Sequence, residues 1–200
     1  MGRKSIARKR KPITPKVQTW LKALLVRIQY EDLEQLKIDD IAKLAGTSKS
    51  TIYEYFGSKE EILEACCATR INQLTTDVLQ LSQKDLDTTD LYTSLVEAFA
   101  EGVSDISFSF LQHIKLHYPQ AWTLIDQFTD LYVDLLKNLY QKGIEEGLYN
   151  AVSIDLLGHI DKLFIIQVVT NPSIFSDEQY HISELIRDYL NLRLVGLLKR

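Results

Sequence analysis

The stretch GTSKSTIYEYFGSKEEIL, residues 46–63, sets Lys49, Ser50, Thr51 and Tyr53 close together. An ammonium, two aliphatic hydroxyls and a phenol are all hydrogen-bond donors, and the hydroxyls also accept. The chain contains no nucleophile elbow, phosphate loop or metalloprotease signature that would give such groups a catalytic task. Their chemistry is that of contact. They can hold phosphate oxygens and reach the edges of bases. Ile52 and Phe56 interrupt them at a spacing that anchors a short helix and leaves the polar groups outside.

A helix of that kind needs a second helix to brace it. IDDIAKLAGTSKSTIYEYF, residues 38–56, has the physical requirements of a helix-turn-helix. Ile41, Ala45, Ile52 and Phe56 supply apolar contacts between two short helices, about 39–45 and 48–55, and Ala42 is small where they approach closely. Gly46 can take the left-handed conformation that ends the first helix. Thr47 or Ser48 can cap the second. That second helix opens with hydroxyls and a lysine, and the positive end of its dipole faces the same way. Such a helix sits in a DNA major groove with its N-terminal residues at base edges.

Charge agrees with an anionic partner for this part only. Residues 1–59 hold 13 Lys and Arg against 6 Asp and Glu, whereas the remainder holds 10 against 21. The formal net charge of -4 hides that asymmetry. Residues 1–14 read as a basic arm, with Arg3, Lys4, Arg8, Lys9, Arg10 and Lys11 and no acid among residues 1–11. With 46% hydrophobic and 25% charged residues, the chain can bury a core and is not generally disordered. The N-terminus carries no apolar signal, and the longest apolar run is too short to span a bilayer. Cys66 and Cys67 are adjacent and cannot bridge each other. A soluble cytoplasmic protein that does not enter the membrane is expected.

Only eight Gly and four Pro punctuate 200 residues, which favours long helices. An all-α fold of nine helices is expected. The first spans 15–30 behind a Thr14 cap, with Val17, Leu21, Leu24, Leu25 and Ile28 on one face. After the two short helices, Ser58 and Glu61 form a capping box that opens a long helix to about Leu81. Residues 82–90 read as a loop. Helices are then expected over 91–105, 106–117, 119–146 and 153–170. A last one starts from a second capping box, Ser176 with Gln179, and runs to about Leu198. This divides the chain into an arm (1–14), a DNA-binding domain (15–57) and a larger helical domain (58–200).

Residues 15–63 resemble the DNA-binding domain of the TetR family of bacterial transcriptional regulators. Ile38, Ile41, Ala42, Ala45, Gly46, Ser48, Thr51, Ile52, Tyr53, Tyr55, Phe56, Ser58, Lys59 and Leu63 carry the resemblance, and YEYFGSKEEIL is its most distinctive part. KGIEEGLYNAVSIDLLGHI, residues 142–160, is similar to the penultimate-helix region of many members. The resemblance implies that Lys49, Ser50 and Tyr53 face the groove, in agreement with the helical wheel. It implies that Thr51, Tyr55 and Lys59 hold phosphates, although Tyr55 could equally be a core residue with its hydroxyl at the surface. Two departures stand out. Ser50 occupies a position where members often have glycine, and Lys37 replaces a common threonine cap.

The larger domain is implied to bind a small, largely apolar effector and to dimerise. Its middle helices are rich in aromatics, including Phe99, Phe110, Trp122, Phe128 and Tyr132. Phe110, Gln112, His113, Trp122, Phe128 and Gln167 are the expected effector contacts. His113 and His117 share a helix face, yet no third ligand is evident nearby, so no metal is expected. No cofactor and no catalytic residue is expected either. The helices at 154–169 and 176–198 carry more apolar arc than one buried stripe requires, as a homodimer needs. The expected function is a transcriptional repressor released from its operator by the effector. The alternatives are a helical adaptor or small-molecule-binding protein without DNA binding, and a helical enzyme.

Overall fold

Thr14 accepts a hydrogen bond from the Val17 amide at its side-chain oxygen, 3.4 Å away, and Pro15 takes the first helical position. The first helix therefore starts where its sequence signals place it. The computed structural model describes residues 10–171 and 181–199. Among them are nine α-helices: α1 Pro15–Ile28, α2 Ile38–Leu44, α3 Lys49–Tyr55, α4 Lys59–Ser82, α5 Thr88–Gly102, α6 Phe108–His117, α7 Pro119–Glu145, α8 Ile154–Thr170 and α9 Ile182–Leu197. Extended pairing among the described residues is limited to one isolated antiparallel bridge, Tyr149 with Leu198. The all-α architecture is as expected. No described helix is long and apolar enough to cross a membrane.

The chain divides into two compact units, one ending at Thr69 and the other beginning at Arg70. The division falls inside α4, later than the expected boundary at its start.

In the first unit α1 packs on α2, and α2 on α3. Val17, Leu21, Leu24, Leu25 and Ile28 are buried, all on the one face anticipated. Trp20 meets Phe56 edge to face, with ring centres 5.8 Å apart. Arg27 donates to the Leu44 carbonyl at 2.6 Å and so satisfies the end of α2 from outside it. Lys37 offers no cap of its own; the Asp40 carboxylate instead accepts the Lys37 N–H at 3.3 Å. Gly46 has φ 63°, a conformation that costs any other residue, and it turns the chain from α2 into α3.

In the second unit α7 packs on α8, α5 on both α7 and α9, and α6 on α7 and α8. Phe99, Phe128 and Tyr132 form a buried ring cluster, with Phe99 4.4 Å from Tyr132 and 5.6 Å from Phe128.

The starts of α5 and α9 differ from expectation and the box before α4 is rearranged, each for a capping reason. α5 begins at Thr88 rather than Leu91, because the Asp87 carboxylate accepts the Asp90 N–H at 2.8 Å. Before α4, Ser58 Oγ accepts the Glu61 N–H at 3.3 Å as a box requires, but the Glu61 carboxylate reaches one residue further back, to the Gly57 N–H at 2.6 Å. α9 begins only at Ile182, because His181 is extended and its N–H is taken by the Glu184 carboxylate at 3.3 Å. The box expected at Ser176 and Gln179 lies outside the described residues.

Candidate nucleic-acid interface

Ser48 is the cap of α3: its hydroxyl accepts the Thr51 N–H at 3.0 Å. That settles the choice between Thr47 and Ser48. The Thr51 hydroxyl lies 2.9 Å from the Ser48 hydroxyl, so both side chains serve the helix start. At about 100° per residue, Ser50, Tyr53 and Glu54 turn away from Ile52, and Lys49 flanks them at the edge of the same arc. Ile52 is fully buried and all four are exposed. A buried anchor thus holds a polar arc outward, as the residue spacing required. Tyr55 is half-buried, its ring 6.3 Å from Phe56, which places it between the two readings left open.

Lys59 is used differently from expectation. Its ammonium donates to the Leu33 carbonyl at 2.6 Å and the Glu34 carbonyl at 3.2 Å. Two of its three protons go to the connection between α1 and α2, which it braces.

Two acids on this surface were not singled out in the sequence. Asp39, in the first turn of α2, accepts from the Lys49 ammonium at 2.9 Å. Glu54, on the outward arc of α3, accepts from the Lys11 ammonium at 2.8 Å. Hydrogen bonding and then the opposite charge raise both lysines above the ordinary lysine pKa, so both remain cationic. Lys11 also donates its backbone N–H to the Glu54 carbonyl at 2.9 Å, and the Arg10 guanidinium reaches the Tyr53 carbonyl. The end of the expected arm is therefore docked along α3. Arg3, Lys4, Arg8 and Lys9 lie outside the described residues. The wheel position of Glu54, one residue beyond Tyr53, was the signal that could have found it.

The expected effector contacts differ in burial. Phe110 and Phe128 are buried, Phe128 within the ring cluster. His113 and Trp122 are half-buried; His113 lies against the His117 and Tyr118 rings, and the Lys115 ammonium sits 5.5 Å above the Trp122 ring. Gln112 and Gln167 are exposed. Gln112 falls off the buried arc of Phe110, Leu111 and Ile114, and Gln167 lies about 100° around α8 from Leu157, Asp161 and Val168, at an exposed position. A half-open groove of about 400 Å³ lies elsewhere, with Leu91, Leu95 and Leu139 in its lining and Lys84, Asn138 and Lys142 among its polar residues. Cys66 and Cys67 are buried free thiols, and burial pushes the Cys67 thiol up to about 12.

Residues 28–66 match the tetR family of bacterial regulatory proteins. An uncharacterized HTH-type transcriptional regulator of Bacillus subtilis (strain 168), YvaF, is 20% identical over 163 residues, covering 80% of this chain and 84% of the relative. The crystal structure of the TetR family regulator PfmR from Thermus thermophilus aligns with a TM-score of 0.66 at 24% identity, over 90% of this chain and 99% of that one. The fatty acid degradation regulator FadR from Bacillus halodurans aligns with a TM-score of 0.66 at 22% identity, over 92% and 97% of the two chains. The family match falls on the helices that present Lys49 and Tyr53, and the fold agrees with it: residues 28–66 are similar to the tetR family of bacterial regulatory proteins, and the fold is similar to that of solved TetR family regulators.

Proposed function

We propose that this regulator is a repressor that grips a two-fold operator as a homodimer and lets go when a small, largely apolar effector binds its second unit. The observation that carries the operator contact is the arc of α3, on which Lys49, Ser50 and Tyr53 are exposed while Ile52 is fully buried beneath them. Lys49, Ser50 and Tyr53 read the groove, and Thr51 and Tyr55 flank it at phosphates. Dimerisation is supported by large apolar side chains left exposed on α8 and α9: Leu156, Ile160 and Leu163 on the first, Leu192 and Val195 on the second.

The effector reading rests on the family's behaviour and on the groove along α5 and α7. Buried leucines beside Lys84 and Lys142 suit a ligand with an apolar body and an anionic or polar end. The similar FadR is named for fatty acid degradation, a chemistry of that kind. Linkage requires operator and effector to weaken each other's binding by the same factor.

A mobility-shift assay on the DNA upstream of the protein's own gene tests this reading, with mass spectrometry of any ligand the purified protein retains. Tyr53→Ala should weaken operator binding by about tenfold or more, the scale of one base-edge contact. Wild-type affinity in Tyr53→Ala would overturn the assignment of α3, and a retained ligand that leaves DNA affinity unchanged would overturn the release mechanism.

A further inference from the structure

The groove-facing arc of α3 is not simply basic. Among the described residues, two lysines that border it are already held by a carboxylate of the same unit: Lys49 by Asp39 at 2.9 Å, and Lys11 by Glu54 at 2.8 Å. All four side chains are exposed, so neither acid is there to compensate a buried charge. Nor does either pair hold helices together that would otherwise part, because Ile41, Ala42, Ile52 and Phe56 already do so from the interior. A carboxylate oxygen at this distance accepts the same charge-assisted hydrogen bond as a phosphate oxygen.

We infer that Asp39 and Glu54 act as internal phosphate mimics that occupy Lys49 and Lys11 in the free protein and so set the specificity of DNA binding. The inference rests on the reading of α3 as the recognition helix. Binding to arbitrary DNA draws its free energy from lysines that neutralise phosphates and release counterions. On a duplex of arbitrary sequence, where Lys49 finds no matching base edge, both lysines have phosphates to neutralise, and a lysine already neutralised by a carboxylate contributes less of that gain. To reach a phosphate it must leave its acid, which then stands unpaired against the DNA backbone. At the operator, base-edge contacts from Ser50 and Tyr53 offset the exchange; on other sequences nothing does. The acids therefore lower non-specific affinity more than specific affinity, and Asp39 and Glu54 are positioning residues for their lysines.

The test is fluorescence anisotropy of the full chain with a duplex of arbitrary sequence and with the operator, over a range of salt. Asp39→Asn and Glu54→Gln should each bind the arbitrary duplex more tightly. Each should also steepen the dependence of log K on log salt by about 0.9, one extra phosphate neutralised. The ratio of operator to arbitrary affinity should fall. A general field of negative charge would give the same tightening without acting through a particular lysine, so each acid variant is repeated in the matching lysine background. Asp39→Asn should steepen the slope much less in Lys49→Ala, and Glu54→Gln much less in Lys11→Ala, where only the acid's own repulsion of the DNA backbone is relieved. Unchanged slopes in both acid variants would overturn the inference, as would equal steepening with and without the lysines. A wild-type chain that shows no salt-dependent affinity for any duplex would instead remove the recognition reading beneath it.

Discussion

Tyr140 of α7 donates its hydroxyl to the Asp161 carboxylate of α8 across 2.6 Å, and Asp161 is completely buried. Two further donors converge on the same carboxylate from α9: the Tyr189 hydroxyl at 2.7 Å and Arg193 Nε at 3.2 Å. Arg193 also donates to the Tyr189 hydroxyl at 2.6 Å, and the Tyr189 ring stacks on Phe164 at 3.8 Å. One buried carboxyl group thus ties three helices together, with the Arg193 guanidinium beside it. A buried charge is tolerated only when paired and hydrogen-bonded in this way.

Asp161→Ala should therefore be far more damaging than its exposed neighbours on α8 would suggest. It leaves the half-buried Arg193 guanidinium without its counter-charge and the buried Tyr140 hydroxyl without an acceptor. The expected loss is about 3–5 kcal/mol, the scale of breaking a buried pair from one side. Denaturant unfolding measures it. Asp161→Asn, which keeps an acceptor, should cost less; equal stability of wild type and Asp161→Ala would contradict the account.

The same cluster sets the alkaline limit. Burial, and then the hydrogen bond and charge of Asp161, push the Tyr189 phenol up to about 12. Burial also raises Tyr92, Tyr132 and Tyr140. An unfolded tyrosine ionises near about 10. Because the folded values lie above that, the unfolded chain loses these protons first. The tyrosines' contribution to stability is complete below about pH 10 and is lost as pH rises toward the folded values. A titration followed by tyrosinate absorbance should show some of the ten tyrosines ionising smoothly and the rest only with the unfolding transition. Ionisation of all ten in one smooth step while the helical signal persists would count against it.

What was legible in the sequence follows from how local each signal is. The face of α1, the left-handed Gly46 and the outward arc of α3 depend on neighbours within a turn or two, so periodicity and capping residues exposed them. Pairs far apart in sequence were not visible. Glu54 meets Lys11 across 43 residues and Arg193 meets Asp161 across 32, and nothing in their local spacing announces either. Gln112 and Gln167 were read as pocket residues because they stand among apolar neighbours. On a helix such a residue can as easily lie off the buried arc, and both do. Where a cap was misjudged, as before α5, two acids stood close together, and only coordinates show that Asp87 takes the Asp90 amide.

Gly143, in the last turn of α7, should not accept a side chain. A Cβ there would stand 2.2 Å from the Tyr149 ring, and Tyr149 is itself completely buried. Alanine is the better helix former, so in an open helix Gly143→Ala would stabilise. Here the ring must shift, and overpacking of this kind typically costs about 1–3 kcal/mol. A lower melting temperature for Gly143→Ala is expected, with Gly196→Ala as the control, because a Cβ at Gly196 meets nothing within 4 Å. A gain in stability at Gly143 would show that the ring yields freely.

The dimer proposal makes the last prediction. On α8, Leu156, Ile160 and Leu163 recur at spacings of four and three and are 58%, 37% and 49% exposed. On α9, Leu192 and Val195 are 72% and 67% exposed, while Ile182, Ile186, Leu190 and Leu197 are buried. Each helix thus has one apolar face against its own unit and another facing out, and an apolar face of this kind is costly to leave in water. A second copy of the same face would cover it about a two-fold axis, which is also the symmetry of an operator with two half-sites about 34–36 Å apart. Leu163→Asp and Leu192→Asp each set a charge at an exposed position of that surface, so the folded protomer should survive. Sedimentation should show each variant shifted toward monomer. Operator affinity should drop much more than affinity for an isolated half-site, because only the dimer joins two recognition helices in one binding event. Wild-type sedimentation in both variants would place the interface elsewhere, and a monomeric variant with full operator affinity would separate DNA recognition from dimerisation altogether.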